Sequence, residues 1–104
     1  MSTIQLHGKS FEIFLPEALI QEKITALATE INTAYAGKKP LFIAVLNGSF
    51  MFASDLFKSI SIEAEICFIK LASYKGTAST GQVITAIGLD IDLTNRHIIV
   101  LEDI

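Results

Sequence analysis

Residues 41–46 read LFIAVL, an unbroken apolar run held between Pro40 and the pair Asn47-Gly48. The run is far shorter than the ~20 residues of a membrane span and has none of the alternation of a strand with one wet face. It has the pattern of a strand buried on both faces of a parallel sheet, which obliges the flanking chain to supply a covering layer on each side.

The flanks meet that demand. Along PEALIQEKITALATEINTAYAGKKP, the residues Ile20, Ile24, Leu27, Ile31 and Ala34 or Tyr35 recur in steps of three and four, the spacing of one helical face. Pro16 opens this helix where its missing N–H costs nothing, Gly37 is placed to cap its end and Pro40 prevents continuation. After the run, LNGSF contains Asn-Gly, a strong hairpin signal. Phe52, Ala53, Leu56, Phe57 and Ile60 nevertheless repeat with helical spacing, with Asp55 and Lys58 on the other face, so the reading is strand, tight loop, helix. AEICFIKLAS reads as the next strand, SYKGTASTG (73–81) as a polar loop, QVITAIGL as a third strand, DIDLTNR as a turn and IIVL (98–101) as a last buried strand. TIQL and FEIF, around HGKS, read as an N-terminal hairpin. Strands alternating with helices predict an α/β fold, a mostly parallel sheet flanked by helices, with the 73–81 hairpin making part of it antiparallel and strand 98–101 at its centre.

Composition excludes several classes. Lys and Arg total 8 against 11 acidic residues and form no stripe, which argues against a nucleic-acid surface. No apolar run is long enough for a membrane span, and MSTIQLHGKSFEIF has no charged n-region feeding a continuous apolar h-region, so a cytoplasmic location is expected. At 51% hydrophobic, with a mean hydropathy of +0.52, the chain is greasier than an ordinary small domain. The excess predicts apolar surface that faces further protein or a second subunit. The single cysteine, Cys67, lies inside EICFIKL and reads as a buried, inert thiol. His7 and His97 are far apart and read as structural, and Asp90 and Asp92 read as a solvated turn lacking the further ligands of a calcium loop.

Three stretches carry chemistry. LNGS follows a buried strand and opens a helix, so its backbone N–H groups and the helix dipole can hold phosphate oxygens; the bland alternative is a tight turn. Glu102 and Asp103 sit at the C-terminal end of the last strand, where open α/β sheets keep their ligand sites. Elsewhere such a dipeptide is a pair of solvated carboxylates. At a strand end the two can accept hydrogen bonds from ribose 2′ and 3′ hydroxyls and hold the water shell of Mg²⁺. The loop 73–81 combines Gly, hydroxyls and one aromatic, the composition of a mobile flap or of an ordinary polar hairpin loop.

Taken in order and spacing, PLFIAVLNGSFMFASDL, SYKGTASTG and HIIVLEDI resemble the hypoxanthine (guanine) phosphoribosyltransferase family of purine salvage enzymes, over the whole chain. The resemblance implies a type I phosphoribosyltransferase-like fold of which residues 1–104 are the N-terminal portion, ending inside the phosphoribosyl diphosphate signature. It implies transfer of 5-phosphoribose from its 1-diphosphate to hypoxanthine or guanine with Mg²⁺, in a homodimer or homotetramer. Leu46, Asn47 and Gly48 then correspond to the diphosphate loop, with a non-proline cis peptide between Leu46 and Asn47. Many relatives have Lys where Asn47 stands, so contact here would rest more on backbone amides and metal. Ser73 and Tyr74 correspond to the flap residues that reach the diphosphate, whereas the pattern assigns nothing to Lys75. Glu102 and Asp103 correspond to the ribose-binding and water-mediated metal-binding pair, and the general base is expected beyond Ile104. A non-catalytic regulator on the same fold, or an inactive fragment, is the alternative reading; the flap sequence favours the enzyme.

Overall fold

The structure, a computed structural model, describes residues 3–75, 82–87 and 91–103, with 72–75 and 82–87 as backbone only. Its centre is β3 (Leu41–Leu46), hydrogen-bonded on both sides to parallel neighbours, β4 (Glu65–Lys75) and β6 (Ile98–Leu101). β5 (Gln82–Ile87) adds antiparallel to β4, giving the order β5-β4-β3-β6. Helices α1 (Glu17–Ala34) and α2 (Phe50–Lys58) connect the strands, and β1 (Thr3–Leu6) and β2 (Lys9–Glu12) form a separate hairpin.

The expected double burial of residues 41–46 holds for the first four: Leu41, Phe42 and Ala44 are 0% exposed and Ile43 4%. Alternation along the pleat sends Phe42 and Ala44 toward the helices, where they meet Ile24, Ala28 and Ile31 of α1, Ala53 and Leu56 of α2, and Leu101. The Phe42 and Phe57 rings meet edge to face at 5.5 Å. Leu41 and Ile43 point the other way and pack with Ile69 and the half-buried Val45, Cys67, Ile91, Leu93 and Ile98. Burying side chains of this size is worth about 1.5–3 kcal/mol each, so the strand is held by both its faces. Cys67, expected fully buried, is half-buried; among the described residues this second face is covered by the 91–98 segment.

Helix α1 departs from the expected stripe. Its buried positions are Ile24, Ala28 and Ile31, whereas Ile20 and Leu27 are 42% and 37% exposed. The small Ala28 lets the helix lie close to the sheet and turns Ile20 and Leu27 to its flank. Pro16 is the N-cap, not the first helical residue, and Gly37 lies past the end with φ +77°. Asn32 fixes α1 to the end of α2: its amide donates to the Ser59 carbonyl at 3.1 Å and its oxygen accepts the Ser61 N–H at 2.9 Å. This paired clamp contributes about 1–2 kcal/mol.

Three further differences concern register. The hairpin turns on His7 and Gly8 alone, both with positive φ, so its second strand is KSFE rather than FEIF. A two-residue turn of that hand matches the twist of paired strands. β4 runs on to Lys75 because its backbone pairs with β5 through Lys75↔Gln82. Ser73, Tyr74 and Lys75 therefore belong to a strand rather than to the polar loop, whose remainder, 76–81, lies outside the described residues. Finally, β6 lies at an edge among the described residues, and Val100 is 58% exposed. Asp90 lies outside the described residues, and Asp92 forms the expected solvated turn, its carboxylate accepting the Thr94 N–H at 2.9 Å. That bond holds the exposed Asp92 carboxyl below its usual value, so its contribution is present above the ordinary carboxylate range and lost as pH falls through the lowered value.

Candidate functional site

β3 and β6 run parallel in register, from Leu41↔Ile98 to Ala44↔Leu101, so both chains emerge at the same end of the sheet. From there the first chain turns through α2 to β4, on the side of β3 away from β6. The space beside these two strand ends, termed the crevice, is the place where open α/β sheets bind ligands.

One wall of the crevice is the loop after β3. The Leu46–Asn47 peptide bond is cis, as expected for this position. Asn47 and Gly48 are exposed and Ser49 is fully buried. Ser49 is the N-cap of α2, but its hydroxyl does not cap the helix; it donates back to the Val45 carbonyl at 2.5 Å, lacing the loop to the strand it leaves. The Asn47 carbonyl accepts the Phe50 N–H at 3.2 Å, and the Ser49 carbonyl accepts that of Ala53 at 2.8 Å. Among the described residues the Gly48 and Ser49 N–H groups have no acceptor, which leaves two donors beside the positive end of α2.

The other wall is the end of β6. Glu102 and Asp103 are both exposed, and neither makes a hydrogen bond or ion pair among the described residues. The Asp103 carboxylate lies directly against Gly48: a methyl group there would stand 2.5 Å from Asp103 Cγ and 3.0 Å from Oδ1. The loop backbone and the carboxylate thus occupy one compact unit, although 55 positions separate them. The absence of a side chain at Gly48, not its backbone angle, admits the Asp103 carboxylate this close, since its φ is not in the left-handed region.

The structure thereby brings two of the residues singled out in the sequence, Gly48 and Asp103, into contact, with Asn47 and Glu102 next to them in the chain and Leu46 half-buried. Ser73 and Tyr74 are placed by backbone only. Lys70 is the register partner of Leu46, so they lie three and four positions beyond that level, on the β3-flanking strand. At ~3.3 Å per residue this extends β4 about 10–13 Å past the mouth of the crevice. What sequence reasoning missed is the Ser49 hydroxyl's bond back to Val45; a serine at the start of a helix following an apolar strand was the available signal. His7 and His97 are in neither wall: His7 forms the hairpin turn, and the His97 ring meets the edge of Tyr35 at 6.1 Å. No group of three or more His, Cys, Asp and Glu gathers among the described residues. The oxygen donors of Glu102 and Asp103 have the hard-ligand chemistry that suits Mg²⁺ held partly through water.

Sequence comparison finds similarity to the bifunctional protein TilS/HprT of Listeria monocytogenes, 35% identical over 95% of this chain and 15% of that protein. The hypoxanthine-guanine-xanthine phosphoribosyltransferase of Tritrichomonas foetus is 39% identical over 82% of this chain and 46% of its own length. A crystal structure of a Staphylococcus aureus hypoxanthine phosphoribosyltransferase superposes with a TM-score of 0.74 at 34% identity, covering 86% of this chain and 49% of that one. The chain thus spans at most about half the length of these relatives. The phosphoribosyl transferase domain model matches residues 12–104, which takes in both walls of the crevice and every strand of its sheet. With that match over most of the chain, the protein belongs to the phosphoribosyl transferase domain family.

Proposed function

We propose that this chain serves purine salvage, in the transfer of 5-phosphoribose from 5-phosphoribosyl 1-diphosphate to hypoxanthine or guanine, giving IMP or GMP and diphosphate. The observation that carries the reading is the contact of Asp103 with Gly48, which sets a carboxylate beside loop amides that have no acceptor among the described residues. The relatives named above act as its chemical precedent.

In this reading the Gly48 and Ser49 N–H groups and the N-terminus of α2 hold diphosphate oxygens. Glu102 and Asp103 accept hydrogen bonds from the ribose 2′ and 3′ hydroxyls and orient the sugar so that its C1 faces the incoming purine nitrogen. Glu102 and Asp103 would hold Mg²⁺ through water, and the ion would supply charge neutralisation of the diphosphate when bound. The C1–O bond breaks with its electron pair leaving on diphosphate, the purine nitrogen forms the new bond, and the purine gives up one proton. Neither acidic residue is assigned that proton. Ser73 and Tyr74 belong to the segment proposed to cover the site and keep water from intercepting the ribosyl group. Asn47 offers no cation, so the backbone donors carry more of the diphosphate contact than a lysine loop would require.

The purified 104-residue chain is expected to bind the Mg²⁺ complex of phosphoribosyl diphosphate in calorimetry but not to convert hypoxanthine into its nucleotide. Absence of binding removes the crevice from the reading, whereas turnover shows that the proton acceptor lies within these residues. A homodimer or homotetramer belongs to the same proposal, supported by exposed Phe14 (88%) and Met51 (72%), and a cytoplasmic location fits it. Among the described residues no helix is long and apolar enough to cross a membrane. Neither nucleic acid nor a membrane is proposed as a partner.

A further inference from the structure

The end of the sheet opposite the crevice gathers positive charge. In-register pairing of β3 with β6 sets the segments that precede them side by side, and the Leu41 N–H donates to the His97 carbonyl at 2.8 Å. Lys38 and Lys39 from one segment and Asn95 and Arg96 from the other line a cleft of about 370 Å³, with Glu65 at its edge. Three of the chain's 8 Lys and Arg residues therefore meet in one concavity of a protein whose net charge is −3.

The three cations are not equally engaged. Arg96 is the fixed one: its side chain is 24% exposed and a 2.7 Å bond to Glu65 orients the guanidinium, leaving further N–H donors for a ligand. Lys39 reaches Glu63 at 3.4 Å with both side chains largely exposed, a pairing weak enough for a ligand to replace. Lys38 has no carboxylate partner among the described residues; its ammonium rests 5.9 Å from the centre of the Tyr35 ring. Set against the single lining carboxylate of Glu65, the cleft keeps a positive excess, and Asn95 adds a neutral amide. A planar guanidinium flanked by two mobile ammonium groups suits a compact, multiply charged oxyanion.

We infer that this cleft, at the pole of the sheet away from the crevice, binds a phosphate group, either free or carried on a nucleotide. The inference is independent of the proposed transfer reaction, because none of its residues belongs to the crevice. Equilibrium dialysis of the full chain against labelled inorganic phosphate, and in parallel against adenosine 5′-monophosphate, tests it whatever the oligomeric state. The comparison is between the native chain and a Lys38→Gln/Lys39→Gln variant, whose exposed side chains leave the fold unaltered. Saturable binding that weakens about tenfold in the variant is expected, the loss typical of removing charge-assisted bonds. Equal native affinity for the two probes assigns free phosphate, and stronger native binding of the nucleotide assigns a nucleotide phosphate. No saturable binding to the native chain, or binding unchanged in the variant, overturns the inference. Anion uptake at the crevice is untouched by the two substitutions, so the binding that remains in the variant is subtracted from that of the native chain before the two are compared.

Discussion

Replacing Gly48 with alanine is expected to lower affinity for Mg²⁺-phosphoribosyl diphosphate by about 10- to 100-fold, equivalent to about 1.4–2.7 kcal/mol, without unfolding the chain. The added methyl would stand 2.5 Å from Asp103 Cγ, so either the carboxylate turns away or the loop lifts from the end of β6. Both movements separate the backbone donors from the acidic pair. The loop is exposed and its backbone angles suit alanine, so the loss in thermal stability should stay within about 1 kcal/mol. A second substitution makes the test sharper. If the clash with Asp103 is the cause, Gly48→Ala should cost much less in a chain that already carries Asp103→Ala, and the double-mutant cycle should be strongly non-additive. Calorimetry that finds the single variant binding as tightly as the native chain would remove the shared unit of loop and carboxylate from the mechanism.

The second large effect is expected at the acidic pair. Glu102→Gln with Asp103→Asn should weaken the same binding by about 1–3 kcal/mol, the range for losing charge-assisted hydrogen bonds. The native fold should persist, because both side chains are exposed and neither holds another residue. Titration at low and at high Mg²⁺ separates the two roles proposed for the pair. A loss that is the same at both concentrations belongs to the ribose hydroxyls, and one that high Mg²⁺ reverses belongs to the metal. Unchanged affinity under both conditions would return Glu102 and Asp103 to solvated carboxylates at a strand end.

Much of this site could be read locally. The run 41–46 announced a doubly buried strand because an uninterrupted apolar stretch can be satisfied only with cover on both faces, and Leu41–Ala44 are buried accordingly. The loop at Asn47 and the carboxylates after Leu101 were legible for a similar reason: each directly follows a strand whose apolar pattern marks its end. Reading was weaker where two local signals competed. Ile20 and Leu27 share the helical period of Ile24 and Ile31, yet α1 turns them to its flank because Ala28 sets the line of closest approach to the sheet. Ser73 and Tyr74 have loop-like neighbours, yet hydrogen bonding to β5 carries the strand through them.

Most strands and helices, and the chemical groups at their ends, were legible from local pattern, because hydrophobic period and turn residues act over a few positions. That β6 pairs with β3 on the side opposite β4 became visible only in three dimensions. Strand order is chosen by packing between residues far apart in the chain, and no local pattern encodes it. That single choice lays Asp103 on Gly48 at one end of the sheet and brings Arg96 beside Lys38 and Lys39 at the other.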